Sequence, residues 1–390
     1  MNVPAVMKNN QMKNPITCAD VTISITLCFY DCVNKCKKNR TYAILLLLLF
    51  FHSSIMVSSQ VALHSVYLIG DAGNDTLPGP VLKLLESELE KNPNGTVVFL
   101  GDNIYPQGLD GKKISEKRLL SQLEILKQFY GKAFFIPGNH DWKAGKWKGK
   151  KCLKEEEKFI DSYLVKETKA QGGLFPKNGL PGPYTLMLSE KTRLVCIDTQ
   201  WWLQSQFFHK VGKLNDKSKK QTSEIFFTRL DSIITLAKNN NELVFIVAHH
   251  PMYSAGNHSL RLEPFRSLVN YTPLQVFGLL GLNRLLTQGM PQPRYKKMRR
   301  KLLASISKYD KVIFASGHEH NIQYFKNGKQ LFVVSGSGSK TSPIKRSREG
   351  LKFSSDKKGF IKLEYSEKGN VRITAMFPDT TPVSVDTVQF

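Results

Sequence analysis

The stretch TVVFLGDNIY, residues 96–105, decides the fold of this chain of 390 residues. Its first five residues, 96–100, are apolar or β-branched and are typical of a buried strand. Gly101 then allows the backbone to turn sharply. Asp102 follows just beyond the carboxyl end of the strand, where open α/β sheets bind their ligands. Tyr105 stands three residues further on, close enough to share a site with Asp102.

Four other apolar runs end in the same way, in Asp, Asn or His. Residues 65–69 precede Gly70-Asp71, residues 133–137 precede Gly138-Asn139-His140-Asp141, residues 243–248 precede His249-His250-Pro251, and residues 311–316 precede Gly317-His318-Glu319-His320. Turn chemistry alone rarely accounts for five such endings. We therefore expect these polar side chains to meet in one site.

Helical patterns at Pro80–Lys91 and at residues 115–130 connect the first three runs. This strand–helix–strand–helix–strand order predicts a largely parallel sheet. Further along the chain we expect a strand at residues 192–197, a helix at 223–238, a strand at 330–334, and a hairpin of residues 359–365 and 370–376. Asp198, which ends its strand, is either a partner of the site residues or a plain turn, and we favour the turn.

The net charge of the chain is +24 and its sequence pI is about 9.7. Such a surface favours phosphorylated substrates, anionic lipid or nucleic acid without choosing among them, and a solvated basic face is an equal alternative. The chain carries no recognised nucleic-acid motif, so we expect no specific nucleic-acid partner. With 41% hydrophobic residues the chain can bury a normal core.

The first 60 residues differ from the rest. Basic residues between Lys35 and Arg40 precede an apolar run, residues 43–51, and a more polar stretch follows, which is the layout of a secretory signal. We expect export to a periplasmic, lumenal or extracellular compartment. Alternatives are a membrane anchor through residues 42–58 and a short buried core helix. The predicted domains are therefore the segment 1–60 and one domain over residues 61–390.

An insertion at residues 259–310 interrupts that domain. It holds an apolar stretch, residues 274–286, and a basic cluster, residues 294–301. A lid over the site is the plain interpretation, and a membrane-surface patch is the alternative. Four of the six cysteines precede the apolar run of the N-terminal segment. Cys196 is typical of a small buried apolar residue, with a Cys152–Cys196 disulfide as the alternative.

The polar residues at the strand ends suggest a metal centre. Carboxylate, amide oxygen, imidazole and phenol groups together suit iron, manganese or zinc. Two neighbouring ions need a shared ligand, and Asp102 is the natural bridge. Such a pair can clamp the attacking and leaving oxygens of a phosphoryl transfer and lower the pKa of a bound water.

The motifs DAG, GDNIY, GNHD, AHHP with a later NH, and GHEH, in this order, resemble those of the calcineurin-like metallophosphoesterases. More narrowly, they resemble purple acid phosphatases of the tartrate-resistant type, over residues 64–390. Most of the superfamily has a metal-binding His where this chain has Gly73. Purple acid phosphatases use a Tyr instead, and Tyr105 stands at that place. The resemblance implies an α/β fold: a four-layer αββα sandwich of two mixed sheets flanked by helices.

The resemblance also implies the ligands of two metal ions. Asp71, Asp102, Tyr105 and His320 would hold Fe(III), and Asp102, Asn139, His249 and His318 would hold Fe(II), Zn or Mn. The family's H-x-P register selects His249 over His250. It also places His258, nine residues later, against the substrate, and His140 resembles the family's outer His.

Two neighbours of these residues have no assigned ligand role. Asp141 either orients His140 or caps the next helix. Glu319 would point away from its flanking histidines if its segment is extended, towards solvent or a surface contact.

The function that the resemblance implies is a dinuclear-metal phosphatase that hydrolyses phosphomonoesters through a metal-bound hydroxide, with a mildly acidic optimum. His140 or His258 would protonate the leaving group. A phosphodiesterase or nucleotidase with the same two-metal site is the nearest alternative, and a basic membrane-associated binding protein with a vestigial site is another. We expect a phosphorylated small molecule or phosphoprotein as substrate, an anionic membrane surface as a candidate partner, and a monomer.

Overall fold

The computed structural model describes residues 63–146, 148–204, 216–256, 289–344 and 347–390, with the side chains of 216 and 217 excepted. The predictions for the segment 1–60, for His258 and for the apolar stretch 274–286 lie outside the described residues.

Two sheets of seven strands each form the centre of the protein. The first sheet has the order β14-β13-β12-β1-β2-β3-β4, where β1 is Leu63–Ile69, β2 Thr96–Phe99, β3 Lys132–Phe135, β4 Gln171–Leu174, β12 Phe360–Ser366, β13 Asn370–Met376 and β14 Val383–Gln389. Strands β1 to β4 are parallel to their neighbours, and β12 joins β1 antiparallel. The predicted parallel unit is therefore one half of a mixed sheet.

The second sheet has the order β11-β9-β10-β8-β7-β6-β5, where β5 is Tyr184–Ser189, β6 Thr192–Cys196, β7 Leu243–Val247, β8 Val312–Ser316, β9 Ile322–Asn327, β10 Gln330–Ser335 and β11 Leu351–Ser355. Its central strands β6, β7, β8 and β10 run parallel, and the outer strands pair antiparallel. The carboxyl ends of β7 and β8 therefore lie side by side.

The described helices are α1 (Pro80–Lys91), α2 (Lys113–Leu123), α3 (Gly149–Glu167), α4 (Gln200–Leu203), α5 (Asp216–Asn239) and α6 (Pro293–Ile306), with 3-10 turns at Glu124–Leu126, Lys143–Gly145 and Lys177–Gly179. α1 begins with a Pro in its first turn, where the missing N–H group costs nothing. No helix among the described residues combines the length and the apolar character that a bilayer crossing requires.

Alternation along the strands separates three apolar layers. On β1, Val66 and Leu68 pack between the two sheets with Phe245 of β7. The intervening Tyr67 and Ile69 face the helices α1, α2 and α3. Because successive side chains of a strand point to opposite faces, one strand serves both layers. A third layer joins the outer face of the second sheet to α5 and α6. The predicted four-layer sandwich of two mixed sheets is confirmed.

Three details differ from the expectations. Cys152 and Cys196 are separate buried thiols, so the disulfide alternative is wrong. The basic cluster 294–301 lies on α6, whose Met298 and Leu302 are buried in the outer helical layer. Strands β4, β5, β9, β11 and β14 were not expected from the residue pattern.

Candidate metal centre

The two sheets bring their strand-end loops together. Gly70 after β1 donates its backbone N–H to the Ser335 carbonyl at the end of β10. A Cβ added to Gly70 would lie 3.0 Å from the Cα of Gly317, which follows β8. A side chain at either glycine would push the sheets apart. The loops after β1, β2, β3, β7 and β8 consequently surround one buried volume.

Three residues of this volume have left-handed backbone conformations: Asp71 with φ 57°, Asp102 with φ 54° and His318 with φ 70°. Residues other than glycine adopt this region rarely, at a cost of about 1–3 kcal/mol each in strained cases. Such outliers cluster at functional sites. Each of them turns a side chain back from a strand end into the space between the sheets.

The first group of polar side chains consists of Asp71, Tyr105 and His320. The Tyr105 hydroxyl donates to Oδ1 of Asp71 at 2.7 Å and lies 3.1 Å from Nε2 of His320. The same His320 nitrogen is 3.5 Å from Oδ1 of Asp71. Two ligands at right angles around one ion at about 2.1 Å lie about 3 Å apart. The spacing of this group fits one ion.

The second group consists of Asn139, His249 and His318. Oδ1 of Asn139 lies 3.0 Å from Nε2 of His249 and 3.0 Å from Nδ1 of His318. The two imidazole nitrogens are 3.2 Å from each other. These are again the separations of atoms that share one ion.

The hydrogen bonding of His249 shows why this group suits a cation. Its Nδ1 lies 2.8 Å from the carbonyl oxygen of Leu100, so this nitrogen carries the hydrogen. In the neutral ring Nε2 is then an acceptor, and it faces the amide oxygen of Asn139, which is also an acceptor. Two acceptors in contact need a positive charge between them or a proton on one of them. Burial disfavours the imidazolium, but the adjacent Asp102 outweighs it and raises the pKa of His249 to about 9.

Asp102 lies between the two groups. Its Oδ1 is 3.4 Å from Nε2 of His249, and single ligand atoms of Asp71, Asp102 and His249 all lie within 4.8 Å of one another. Burial opposes ionisation of Asp102, but the neighbouring His249 and His140 hold its pKa well below the ordinary value. The backbone N–H of His140 also donates to Oδ1 at 2.8 Å. Asp102 therefore occupies the position that a bridging ligand needs.

Tyr105 and Gly73 are sterically linked. A Cβ at Gly73 would lie 2.1 Å from the carbonyl oxygen of Asn103, so no side chain fits there. The backbone N–H of Tyr105 donates to the carbonyl of Gly73 at 2.9 Å. Burial, then the carboxylates of Asp71 and Asp102, raise the pKa of Tyr105 well above its ordinary value. A bound cation favours the phenolate and opposes both effects.

His140 lies at the margin of the centre, with 28% of its side chain exposed. Its Nδ1 is 2.6 Å from the carbonyl oxygen of Pro106, which leaves Nε2 available, 3.9 Å from Oδ2 of Asp102. His250 is also close enough to form a possible ligand group with His249 and His318. However, Nδ1 of His250 contacts the Thr199 hydroxyl at 2.9 Å. We favour His249 because it alone of the two also approaches Asn139 and Asp102.

Asp141 has neither of the two roles that we considered. Its buried carboxylate accepts from the backbone N–H groups of Gly138 and Ile104, at 2.7 and 3.1 Å, and from the Asn103 amide at 3.2 Å. It ties the loop after β2 to the loop after β3. Burial and the charge of Asp102 raise the pKa of Asp141 to about 7. Asn103 also donates to the buried Glu156 of α3 at 3.1 Å, so the tie reaches the helical layer.

The expectation for Glu319 is wrong, because its side chain is fully buried. The Ser254 hydroxyl donates to its Oε1 at 2.5 Å. Asp198 is more than a turn. Its Oδ1 accepts from the backbone of Trp201 at 3.2 Å, and its Oδ2 accepts from the indole of Trp142 at 2.8 Å. It thereby holds the segment that follows His140.

Two features of the site were not found from the sequence. Lys340 places its ammonium nitrogen 3.3 Å from the ring centroid of Tyr105, a cation–π contact. The Gly/Ser loop before it encloses Asp71: the backbone N–H of Ser339 donates to the Asp71 carbonyl at 3.1 Å, and a Cβ at Gly336 would lie 2.8 Å from Oδ2 of Asp71. The run SGSGSK, residues 335–340, was a signal for close backbone approach.

Fold and site together define a metal-dependent phosphoesterase. The calcineurin-like phosphoesterase family model matches residues 64–322, so the chain belongs to this family. Family members of this fold bind two metal ions, and the two groups described above provide donors for them. The chain is therefore a hydrolase of phosphoric esters. No curated protein matches the sequence.

Many solved structures match this fold, among them GAP50 and a purple acid phosphatase. GAP50, described as the anchor in the inner membrane complex of Plasmodium, has 19% identity, covers 84% of this chain and 88% of its own, and gives a TM-score of 0.53. The purple acid phosphatase PPD1 from yellow lupin (Lupinus luteus) seeds has 15% identity, covers 85% of this chain and 54% of its own, and gives a TM-score of 0.53. At these identities the similarity concerns the fold alone.

The choice between adjacent histidines gives a testable prediction. Both imidazoles are fully buried, so His249→Ala and His250→Ala remove equal side-chain volumes from equally buried positions. We expect His249→Ala to lose one of two ions per chain and His250→Ala to keep both, because only His249 approaches Asn139 and Asp102. Metal analysis of the folded, purified variants checks this. Greater metal loss from His250→Ala would reverse the assignment.

Proposed function

We propose that this protein is a dinuclear-metal phosphatase of the purple acid phosphatase type that hydrolyses phosphomonoesters. The observation that carries the proposal is the place of Tyr105. Its hydroxyl lies between Asp71 and His320, on the side of the centre where Gly73 leaves no room for a His ligand. A phenolate is a hard anionic ligand that suits Fe(III).

The ligand assignment follows the two groups of the site. Asp71, Tyr105 and His320 would hold Fe(III); Asn139, His249 and His318 would hold Fe(II), Zn or Mn; and Asp102 would touch both ions. When bound, the ions lower the pKa of a coordinated water and neutralise charge on the phosphate.

The protein's own groups position these ligands and move a proton. Leu100 fixes the ring of His249 through its carbonyl oxygen, so that Nε2 faces the centre. Pro106 does the same for His140, whose Nε2 is then the nitrogen that would protonate the leaving alkoxide. We propose that His258 shares the protonation of the leaving group with His140. The basis for His258 is its position nine residues after His249, which matches the family pattern.

Lys340 would contact the substrate. Its ammonium group lies over Tyr105, on a side chain that is only partly buried, beside a centre of two carboxylates. A phosphate bound at the ions would bring its outer oxygens towards this charge. We therefore assign Lys340 the role of orienting the phosphate rather than of binding metal.

The cellular setting belongs to the same proposal. The signal-like layout of residues 1–60 supports export, with a membrane anchor through residues 42–58 as the alternative. The structural neighbour GAP50 is described as an anchor in a membrane complex, which is compatible with either location. We propose a monomer that acts on a phosphorylated small molecule or phosphoprotein.

Asp102 provides the direct test of the phosphatase proposal. We expect the wild-type protein to hydrolyse para-nitrophenyl phosphate with a kcat/KM at least about tenfold above that for the bis(para-nitrophenyl) diester. We expect Asp102→Ala to reduce both rates about 10³-fold, because the ligand between the two groups is removed. Faster hydrolysis of the diester would favour the phosphodiesterase alternative. Full activity of Asp102→Ala would refute the site.

The role of Lys340 can be separated from a structural one. We expect Lys340→Gln to raise KM for a phosphomonoester, and the inhibition constant of inorganic phosphate, about tenfold, while kcat changes little. Lys340→Arg retains the charge, so its KM and its inhibition constant for inorganic phosphate should be close to those of the wild-type protein. If Lys340 only supported the fold, kcat would fall with KM unaffected, and Arg would not rescue it.

A further inference from the structure

A second cavity lies outside the metal centre, between the outer helices. It has a volume of about 270 Å³ and is lined by residues of α4, α5 and α6. Its apolar wall consists of Trp201, Trp202, Phe227 and Met298. Trp202 is held in place by a hydrogen bond from its indole to the Ser223 hydroxyl at 3.1 Å.

Positive charge surrounds this apolar wall. Five cations line the cavity: Lys219, Lys220, Arg294, Lys297 and Lys301. Among the residues whose placement is described, the one acid in the lining is Glu224, 4.0 Å from Lys220. Helix α6 itself, Pro293–Ile306, contains six Lys or Arg residues and no acid. The N-terminal ends of helices add further positive potential.

The neighbouring parts of the sequence do not supply the missing negative charge. Residues 205–216, between α4 and the first residue of α5, contain Lys210, Lys213 and one acid, Asp216. Residues 257–288, which precede α6, contain three Arg and one Glu. Since both segments are net basic by sequence, and five cations outnumber one acid in the lining, the cavity suits an anionic partner.

The arrangement of the lysines narrows the choice of partner. The ammonium of Lys219 lies 5.1 Å from the ring centroid of Trp201, and that of Lys301 lies 5.0 Å from that of Phe227. Single-stranded nucleic-acid sites need aromatic ring faces on which bases can stack. The ring faces of Trp201 and Phe227 are covered by these ammonium groups, which disfavours such a site. Basic side chains grouped around an apolar wall that contains a Trp are typical of a membrane interface.

We propose that this face, the α5–α6 basic cavity, binds the anionic phospholipid headgroups of a membrane surface. The lysines and Arg294 would meet the headgroup phosphates and carboxylates, while Trp202 and Phe227 lie at the level of the interface. This function is separate from phosphoester hydrolysis and holds whichever ester the metal centre cleaves. It would keep the enzyme at a membrane surface independently of the N-terminal segment.

The test compares the full chain with two variants of equal charge. Lys219→Gln/Lys297→Gln/Lys301→Gln alters the cavity. Lys83→Gln/Lys127→Gln/Lys166→Gln removes three exposed lysines in the opposite helical layer: one on α1, one directly after the 3-10 turn Glu124–Leu126 and one on α3. Sedimentation with vesicles of phosphatidylcholine, alone or with phosphatidylserine in about one third of the lipids, gives the gain in binding due to anionic lipid. All three proteins contain residues 42–58, so any membrane binding through that segment contributes equally to each and does not affect the comparison of their gains.

We expect that gain to fall about 10²-fold in the cavity variant, at about fivefold per lysine, and to change little in the control. Unchanged thermal unfolding and phosphomonoester turnover would show that the cavity variant is folded. Equal gains in the two variants, or no gain for the wild-type protein, would overturn the proposal. So would loss of affinity for a single-stranded oligonucleotide in the cavity variant with vesicle binding unchanged, which would identify a nucleic-acid site.

Discussion

The structure depends on burying two carboxylates at one place. Asp71 is 0% exposed and Asp102 is 2% exposed, at the edge of the apolar layer between the two sheets. A buried carboxylate is costly unless cations and hydrogen-bond donors surround it. The backbone N–H groups of His318 and His140 meet part of this requirement, at 2.7 and 2.8 Å. The imidazoles of His249 and His320 and the ions that this family binds meet the rest.

This constraint explains the local chemistry of the loops. Each carboxylate stands in a left-handed turn, so the strand can end and the side chain can still point back between the sheets. Small residues accompany these turns because the two sheets are nearly in contact there: a Cβ at Gly101 would lie 2.7 Å from Nδ1 of His249. Behind the loop after β2, Asn103, Asp141 and Glu156 form a buried polar tie. Burial and the nearby Asp141 raise the pKa of Glu156 well above its ordinary value.

The sequence predicted the parts of this structure that repeat a strong local signal. Continuous apolar runs followed by Asp, Asn or His located β1, β2, β3, β7 and β8, and their shared edge predicted that the polar residues would meet. The strands β5 and β14 were missed because neither is a buried apolar run: β5 has no fully buried residue, and β14 has one, Val388. β4 was missed because Gly172 and Gly173 interrupt it; a Cβ at Gly172 would lie 1.8 Å from the Ala133 carbonyl. Glu319 and Lys340 could not be placed, since their surroundings come from residues distant in the chain, Ser254 and Tyr105.

The central claim is that seven side chains on five loops hold two ions, one of them through a tyrosinate. The most direct measurement is the metal content of the purified protein together with its visible spectrum, for the wild-type protein and Tyr105→Phe. Our account predicts two ions per chain and a tyrosinate–Fe(III) charge-transfer band that gives a violet colour, and it predicts that Tyr105→Phe loses the band. A colourless iron-loaded protein, or a band that persists in Tyr105→Phe, would contradict it.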